Sequence, residues 1–185
     1  MRIENNLLAP HFRKKDIFGR EIDLNDYKDK KLMICFFRHA GCPFCNLRVH
    51  LLTKMEKEWK EKGLEMIFFF ESKEKVMQMS TFHQEVSPIP LISDPEKKVY
   101  DAYGIESSGA KSAISHISTF VQTAYKATRL GLPIHTMKDG ESISTMPAEF
   151  LIDKGLIVRA VHYSERLNDR MNLDKIKAFA DGREF

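Results

Sequence analysis

The side chains in this sequence that are best placed to do chemistry are two cysteines, Cys42 and Cys45, separated by two residues. An apolar run, residues 32–37, precedes them, and an amphipathic helical pattern begins immediately after them. A helix N-terminus carries unpaired N–H groups and a partial positive charge, and both favour the reactive thiolate over the thiol. One helical turn also brings the two sulfurs close together. The stretch therefore predicts cycling between a dithiol and a disulfide.

The two cysteines are expected to differ in reactivity. Cys42 stands at the predicted helix start and Cys45 one turn further in, so we expect Cys42 to be the more exposed and the more acidic sulfur. Arg38 and His39 precede the pair closely and are candidates for stabilising a thiolate. The alternative for Arg38 and His39 is an exposed loop pair with no role.

Two other interpretations of the cysteine pair are open. The thiols could be inert, but their place between a buried strand and a helix start argues against this. They could bind a metal together with His39 or His50, but zinc sites built on C-x-x-C usually draw a second ligand pair from elsewhere. The third cysteine, Cys35, lies within the apolar run and is expected to be a small core residue. We therefore expect no metal and no organic cofactor.

Composition limits the class of protein. The chain has 185 residues, long enough for one domain with a good core and short for two. Its 29 basic and 26 acidic residues give a net charge of +3, too mild to predict a nucleic acid or a membrane surface as partner. We find no signal-peptide pattern and no membrane span. Three cysteines are too few for a secreted disulfide framework, so we expect a cytoplasmic protein.

The remaining pattern predicts the elements that position the cysteines. A turn with Gly19 at its tip indicates an edge hairpin within residues 8–24. Strands are predicted at residues 32–37, 64–70, 91–92, 149–153 and 156–162. Helices are predicted after Cys42, after Ser72, after Asp94, over residues 112–130 and after Asn172. In the second of these helices Ser72 is the expected cap, and the side chains expected to face inward are Val76, Met79, Phe82 and Val86. In the fourth helix the apolar residues at helical spacing are Ile114, Ile117, Val121, Ala124 and Tyr125. This order predicts an α/β fold with a mixed sheet flanked by helices.

Four stretches resemble the thioredoxin superfamily, and more narrowly its peroxiredoxin-like branch, the alkyl hydroperoxide reductase/thiol-specific antioxidant proteins that carry a C-x-x-C. Residues 8–24 are similar to the N-terminal hairpin of that branch, and residues 35–46 to its strand, active site and helix. Residues 147–155, PAEFLIDKG, resemble the strand after a cis-proline, and residues 172–179 the terminal helix. The resemblance implies one thioredoxin-like domain over residues 1–185. The resemblance does not cover residues 106–145, which are expected to be a helical insertion. The helix at residues 112–130 within it would serve as a lid, a homodimer surface or extra core cover.

The resemblance also implies roles for individual residues. On the thioredoxin pattern Cys42 attacks and Cys45 resolves, whereas on the peroxiredoxin pattern Cys45 is the peroxidatic cysteine. Met146 and Pro147 would form a cis peptide that faces the cysteines and leaves the Met146 N–H and C=O free to bind substrate. The sequence departs from the peroxidatic motif, because Arg38 replaces its proline, Cys42 replaces its threonine, and its arginine before the FLID strand is absent.

Three functions follow, in order of preference. The first is a thiol–disulfide oxidoreductase that acts on a protein or small-molecule thiol or disulfide. The second is a thiol peroxidase with Cys45 as the peroxidatic residue. The third is a redox-inert binding module that uses the groove beside Pro147. We expect disulfide exchange to outrun peroxide reduction, since the donors that would polarise a peroxide are mostly missing.

Overall fold

The computed structural model describes residues 1–86, 88–138 and 141–184, and only the backbone at 81 and 115–118. After a short hairpin of β1 (Arg13–Lys15) and β2 (Glu21–Asp23), five strands form one sheet: β3 (Lys31–Phe36), β4 (Leu64–Phe70), β5 (Leu91–Ser93), β6 (Ala148–Asp153) and β7 (Ile157–Tyr163). Their spatial order is β5-β4-β3-β6-β7. Strands β3, β4 and β5 pair in parallel, while β6 is antiparallel to both β3 and β7. The predicted mixed sheet is confirmed.

The hairpin follows from local turn chemistry. The Asp16 carboxylate accepts hydrogen bonds from the N–H groups of Phe18 (3.0 Å) and Arg20 (2.9 Å), and Gly19 adopts the positive φ of 82° expected of a turn tip. Strands β1 and β2 then pair in an antiparallel register from Lys15 opposite Glu21. The predicted edge hairpin is therefore confirmed.

Helices cover both faces of the sheet. They are α1 (Pro43–Glu61), α2 (Glu74–Gln78), α3 (Thr81–Glu85), α4 (Lys98–Ala102), α5 (Gly109–Arg129) and α6 (Leu173–Ala180). Alternate residues of β3 enter two separate cores. Met33 and Cys35 pack in the core that includes α1 and α6, and Leu32 and Ile34 pack in the core that includes α4 and the N-terminal segment. Burial on both faces explains why the central strands are continuous apolar runs.

The predicted helix after Ser72 differs in detail. Two short helices, α2 and α3, replace it, and α2 begins after Lys73 without a side-chain cap. Ser72 is not the cap because its hydroxyl accepts a hydrogen bond from the Ala40 N–H (2.7 Å) and donates one to Glu141. Met79 was predicted to face inward but is 71% exposed, since the break between α2 and α3 interrupts the helical period; Met77 is buried instead.

The segment between α4 and β6 contains the long helix α5. Ser108 caps it by accepting a hydrogen bond from the Lys111 N–H, four residues before the predicted start. Ile114, Val121 and Tyr125 are exposed, so these members of the apolar pattern do not cover the core. The side chain of Ile117 and part of the predicted turn at residues 138–141 lie outside the described residues. Within the described chain, no helix has the length and apolar character needed to cross a membrane.

Candidate active site

The first turn of α1 holds both cysteines of the C-x-x-C. Cys42 is the N-cap with an extended backbone, and Pro43 occupies the first helical turn. The Cys42 carbonyl accepts hydrogen bonds from the N–H groups of Cys45 (3.1 Å) and Asn46 (3.0 Å). All three cysteines, including Cys35, are free thiols in this structure. The sequence pattern therefore places one sulfur at the positive end of the helix and the second one turn inside it.

Arg38 binds the sulfurs from the loop that joins β3 to α1. Its backbone N–H donates to Sγ of Cys45 at 3.4 Å. Its guanidinium lies within the site, where Nη1 is 3.7 Å from Sγ of Cys42 and Nη2 donates to the Ile143 carbonyl at 2.7 Å. Arg38 is fully buried and His39 nearly so. The alternative that these two residues form an exposed loop pair is wrong, because the loop is covered by residues 132–137 and by Ile143.

The electrostatics of the two sulfurs diverge. Burial opposes ionisation of Cys42, but the hydrogen bond from Cys45 and the positive charge of Arg38 outweigh it and lower the pKa of Cys42 to about 6. Burial raises the pKa of Cys45 well above its usual range, and a negative charge on Cys42 raises it further. These influences favour ionisation of Cys42 over Cys45. The predicted difference in acidity has the expected direction.

The predicted difference in exposure keeps its direction but is very small, because both sulfurs are buried: Cys42 exposes 1% of its surface and Cys45 none. Of the two, Cys42 forms part of the wall of an open cavity of about 430 Å³. The wall combines apolar side chains, Phe120, Ile134, Met137 and Ile143, with the basic side chains of Arg38, His39 and His135. The start of α1 packs against the segment that follows α5, and this segment covers the Cys42 sulfur. The sequence pattern of the C-x-x-C alone gave no sign of this cover.

Two residues attach this covering segment to the redox loop. The Asn46 side-chain amide donates to the carbonyls of Ala40 (2.7 Å) and Pro133 (2.8 Å). A Cβ placed on Gly41 would lie 2.6 Å from the His135 ring and from its carbonyl oxygen, so glycine permits the close approach. Sequence reasoning missed both contacts, although a glycine directly before a reactive cysteine is a signal of close backbone approach.

The Met146–Pro147 peptide is trans, so the prediction of a cis bond is wrong. No reversal is needed here, because an antiparallel bridge between Ser107 and Thr145 guides the chain directly into β6. The Met146 N–H donates to the Glu106 carbonyl at 2.8 Å, and the Pro147 carbonyl accepts from the Ser164 N–H at 3.0 Å. The N–H predicted to bind substrate is therefore already paired, while the Met146 side chain packs in the core that contains both sulfurs.

A second buried arginine lies behind the site, further along α1. Arg48 donates to both carboxylate oxygens of Glu149 on β6, at 2.8 Å and 2.7 Å, and to the Met171 carbonyl at 2.9 Å. The Met171 N–H completes the group by donating to Glu149 at 3.0 Å. Burial, together with the charge of Glu149, raises the pKa of Cys35 on the neighbouring strand well above its usual range. Cys35 is a buried core residue, as predicted.

The histidines considered as metal ligands separate in space. The side chain of His39 lies beside His135 and Glu141, and the potential ligand atoms of these three residues are within 4.8 Å of one another. His50 lines a different cavity further along α1, with Phe82 and Val86. The structure therefore groups His39 with a histidine and a carboxylate that are about a hundred residues away in the sequence, rather than with His50.

The comparisons with known proteins agree with this architecture. The family model described as AhpC/TSA family matches residues 6–161. The thiol-disulfide oxidoreductase ResA of Bacillus anthracis is 26% identical over 97 residues, 52% of this chain and 56% of that protein. Peroxiredoxin Bcp of Escherichia coli is 25% identical over 99 residues, 53% of this chain and 62% of that protein. Each alignment thus spans little more than half of the relative.

Solved structures extend the likeness to nearly the whole chain. A thiol peroxidase from Chromobacterium violaceum superposes with a TM-score of 0.66 at 14% identity, covering 98% of this chain and 88% of that one. At this identity the likeness concerns the fold alone. The thioredoxin-like fold expected from the sequence is confirmed.

Proposed function

Since the chain belongs to the AhpC/TSA family, we propose that it is a thiol–disulfide oxidoreductase in which Cys42 attacks and Cys45 resolves. One observation carries the proposal. The Arg38 guanidinium lies 3.7 Å from the Cys42 sulfur at the start of α1, with Cys45 one turn away. A thiolate beside a cation at a helix N-terminus is a good nucleophile near neutral pH, and a thiol one turn away can resolve a mixed disulfide.

The reaction oxidises this dithiol and reduces a substrate disulfide. The Cys42 thiolate attacks one sulfur of the substrate, forming a mixed disulfide and releasing the first substrate thiolate. Cys45 then loses its proton and attacks the Cys42 sulfur, which closes the Cys42–Cys45 disulfide and releases the second substrate thiolate. Two electrons pass from the dithiol to the substrate. Another dithiol protein or a small thiol would return them and restore both thiols.

The electrostatics impose an order on these steps. While Cys42 is a thiolate, its charge and its hydrogen bond with Cys45 raise the pKa of Cys45, so Cys45 stays protonated. Burial is the main cause of the raised pKa of Cys45, and it persists in the mixed disulfide. The two contributions of Cys42 disappear there, and the positive charges of Arg170 and Arg38 then favour a thiolate on Cys45 more than before. The resolving sulfur is therefore easier to deprotonate after the attacking sulfur has reacted.

The other predicted site residues take positioning roles in this proposal. Arg38 stabilises the thiolate, and His39 lines the cavity beside Cys42. Met146 packs in the same core as both sulfurs, while the paired Met146 N–H and Pro147 carbonyl argue against strand pairing of these groups with substrate. The burial of Cys42 favours a small disulfide, or an exposed loop of a protein disulfide that displaces the segment after α5.

Location and assembly belong to the same proposal. A reducing compartment such as the cytoplasm would regenerate the dithiol. The exposed apolar side chains of α5, Ile114, Val121 and Tyr125, support a homodimer, and sedimentation velocity over a range of concentrations would test it.

A thiol peroxidase is the second candidate, and the burial of the site favours it. A peroxide is small enough to reach the enclosed Cys42, and the Arg38 guanidinium is a donor beside that sulfur. In this case Cys42 would be oxidised to a sulfenic acid while the peroxide is reduced, and Cys45 would condense with it to give the disulfide and water. Cys45, whose pKa is raised, is the poorer peroxidatic residue.

The test compares three proteins on four substrates. Wild type, Cys42→Ser and Cys45→Ser would be assayed with insulin, with a small disulfide, and with hydrogen peroxide and an alkyl hydroperoxide. Disulfide reduction should exceed peroxide reduction in wild type and disappear in Cys42→Ser. Cys45→Ser should accumulate a mixed disulfide at Cys42, visible as added substrate mass in the intact protein. Cys35→Ala is the matched control, because its thiol is buried in β3.

The remaining outcomes decide against the proposal. Peroxide turnover faster than disulfide reduction, lost with Cys42→Ser, would establish the peroxidase instead. Peroxide turnover that survives Cys42→Ser and is lost with Cys45→Ser would reverse the roles of the two sulfurs. Inactivity in every assay with intact thiols would leave the binding module.

A further inference from the structure

Three side chains converge beside the redox loop without taking part in the reaction described above. His39 follows β3, whereas His135 and Glu141 belong to the segment between α5 and β6. Their potential ligand atoms lie within 4.8 Å of one another, and Nδ1 of His39 is 3.7 Å from Oε2 of Glu141. Two imidazoles and one carboxylate are the ligand set of zinc sites that keep one coordination position open.

Surrounding groups hold the carboxylate in place. The Glu141 side chain is 1% exposed, the Ser72 hydroxyl donates to one of its oxygens, and the Lys138 N–H donates to the other at 2.8 Å. In the part of the chain that the structure describes, no lysine or arginine forms an ion pair with Glu141. A buried carboxylate is normally paired with a cation or coordinated to a metal. Its charge here is directed at two imidazoles.

His135 is held in a state suited to metal binding. Its Nδ1 lies 2.9 Å from the Thr136 carbonyl, and since a carbonyl can only accept, this nitrogen carries the hydrogen. Nε2 is then left with its lone pair. An imidazole that donates one N–H to a backbone carbonyl while the other nitrogen binds the ion is the usual arrangement at protein metal sites. The ring lies so close to Gly41 that a Cβ at that position would be 2.6 Å from it.

We propose that His39, His135 and Glu141 form a Zn²⁺ site whose remaining coordination position opens into the cavity of Cys42. Both imidazoles line that cavity together with Cys42, so an ion held by them would border the same cavity as the sulfur. The site differs from the C-x-x-C metal site weighed at the sequence level, because its three protein ligands include no sulfur. Bound zinc would slow reactions at Cys42 by occupying the entrance.

The decisive experiment removes the sulfurs. A Cys42→Ser/Cys45→Ser protein, titrated with Zn²⁺ alone in a calorimeter, should bind one ion per chain. In that background His135→Ala and Glu141→Gln should each weaken binding at least tenfold. Glu141→Gln keeps the size of the side chain and an oxygen that can accept from Ser72, so it tests the charge without removing the contact. His162→Ala is the matched control: His162 also faces a carboxylate, Asp169 at 3.0 Å, on β7.

A second readout keeps the proposal falsifiable if a variant fails to fold. In the same double-serine protein, Zn²⁺ should protect His39 and His135 from diethyl pyrocarbonate and leave His162 unprotected, as read by peptide mapping. The proposal is overturned if this protein binds no zinc at micromolar concentrations, if His135→Ala and Glu141→Gln bind as tightly as the parent, or if His162 is protected equally. None of these outcomes depends on whether the protein reduces disulfides.

Discussion

Two buried arginines, Arg38 in the loop before α1 and Arg48 within α1, use the same kind of side chain for different purposes. The Arg48 guanidinium binds both oxygens of the Glu149 carboxylate and the Met171 carbonyl. Its charge is therefore neutralised, and its hydrogen bonds join α1 to β6 and to the segment before α6. Arg38 has one carbonyl partner, and among the described residues it forms no ion pair with a carboxylate. Its remaining charge faces the Cys42 sulfur. A buried cation stabilises a thiolate only where no carboxylate already neutralises it.

The largest effect is expected at the Arg48–Glu149 pair. Arg48→Met leaves the Glu149 carboxylate buried without its partner, and breaking such a pair costs about 3–5 kcal/mol of the free energy of unfolding. Chemical denaturation would measure this loss. Arg48→Met/Glu149→Leu should recover most of it, because no charge is then left uncompensated. If the single variant were as stable as wild type, Arg48 would not have the structural role that distinguishes it from Arg38.

A smaller effect on stability is expected from substitution of His83, a buried histidine. It packs on Phe70 with ring centroids 5.2 Å apart, and neither ring nitrogen has a hydrogen-bond partner among the described residues. Burial, together with His135, lowers the pKa of His83 from 6.5 to about 4. The unfolded chain therefore binds the extra proton between these values, so stability is complete above pH 6.5 and falls as the pH drops towards 4.

At pH 5 this linkage costs about 2 kcal/mol relative to pH 8. His83→Phe should remove most of that fall while retaining the ring contacts, as denaturation at the two pH values would show. His162→Phe is the control, since His162 is partly exposed and has an Asp169 partner. If the free energy of unfolding fell equally between pH 8 and pH 5 in His83→Phe and in wild type, protonation of His83 would not be the cause of the fall.

Substitution of Arg38 is expected to change the reactivity of the Cys42 thiol. A cation within 4–6 Å lowers a thiol pKa by roughly 1–3 units, so Arg38→Met should raise the pKa of Cys42 from about 6 and slow its alkylation about tenfold at pH 7. Iodoacetamide labelling against pH, with peptide mapping, measures the midpoint. Arg38→Lys, which keeps the charge, should retain more of the reactivity than Arg38→Met. An unshifted midpoint in Arg38→Met would assign the acidity of Cys42 to the helix terminus and Cys45 alone.

The smallest effect is expected at Cys35, which lies near the Arg48–Glu149 pair rather than beside Cys42. Cys35→Ala should leave disulfide reduction and the Cys42 midpoint unchanged. It should cost about 1 kcal/mol of stability through the lost packing of one sulfur. The same two assays used for the arginines report both quantities. A fall in turnover without a fall in stability would give Cys35 a redox role that its burial argues against.

Sequence reasoning worked where one local pattern decides the structure. The apolar runs of β3 and β4, the turn at Gly19 and the cap at Asn172 are set by neighbours in the chain. It failed where distant segments meet. The near-complete burial of Cys42 was not predicted, because it depends on the segment after α5, and the cis bond predicted before Pro147 is wrong because Ser107 and Thr145 pair upstream. The carbonyl partner of Arg38 was not predicted, since Ile143 is 105 residues away in the sequence.

Gly41 carries a consequence for how far this site can vary. A side chain at position 41 would collide with both the ring and the backbone of His135, so even alanine requires the covering segment to withdraw. The glycine before Cys42 thus permits the covering segment to approach the redox loop closely. In a selection from a library randomised at position 41, glycine should survive wherever this close approach matters, and larger residues should survive wherever bulky substrates are rewarded. The range of substrates would then change through substitution of a single residue that has no reactive side chain.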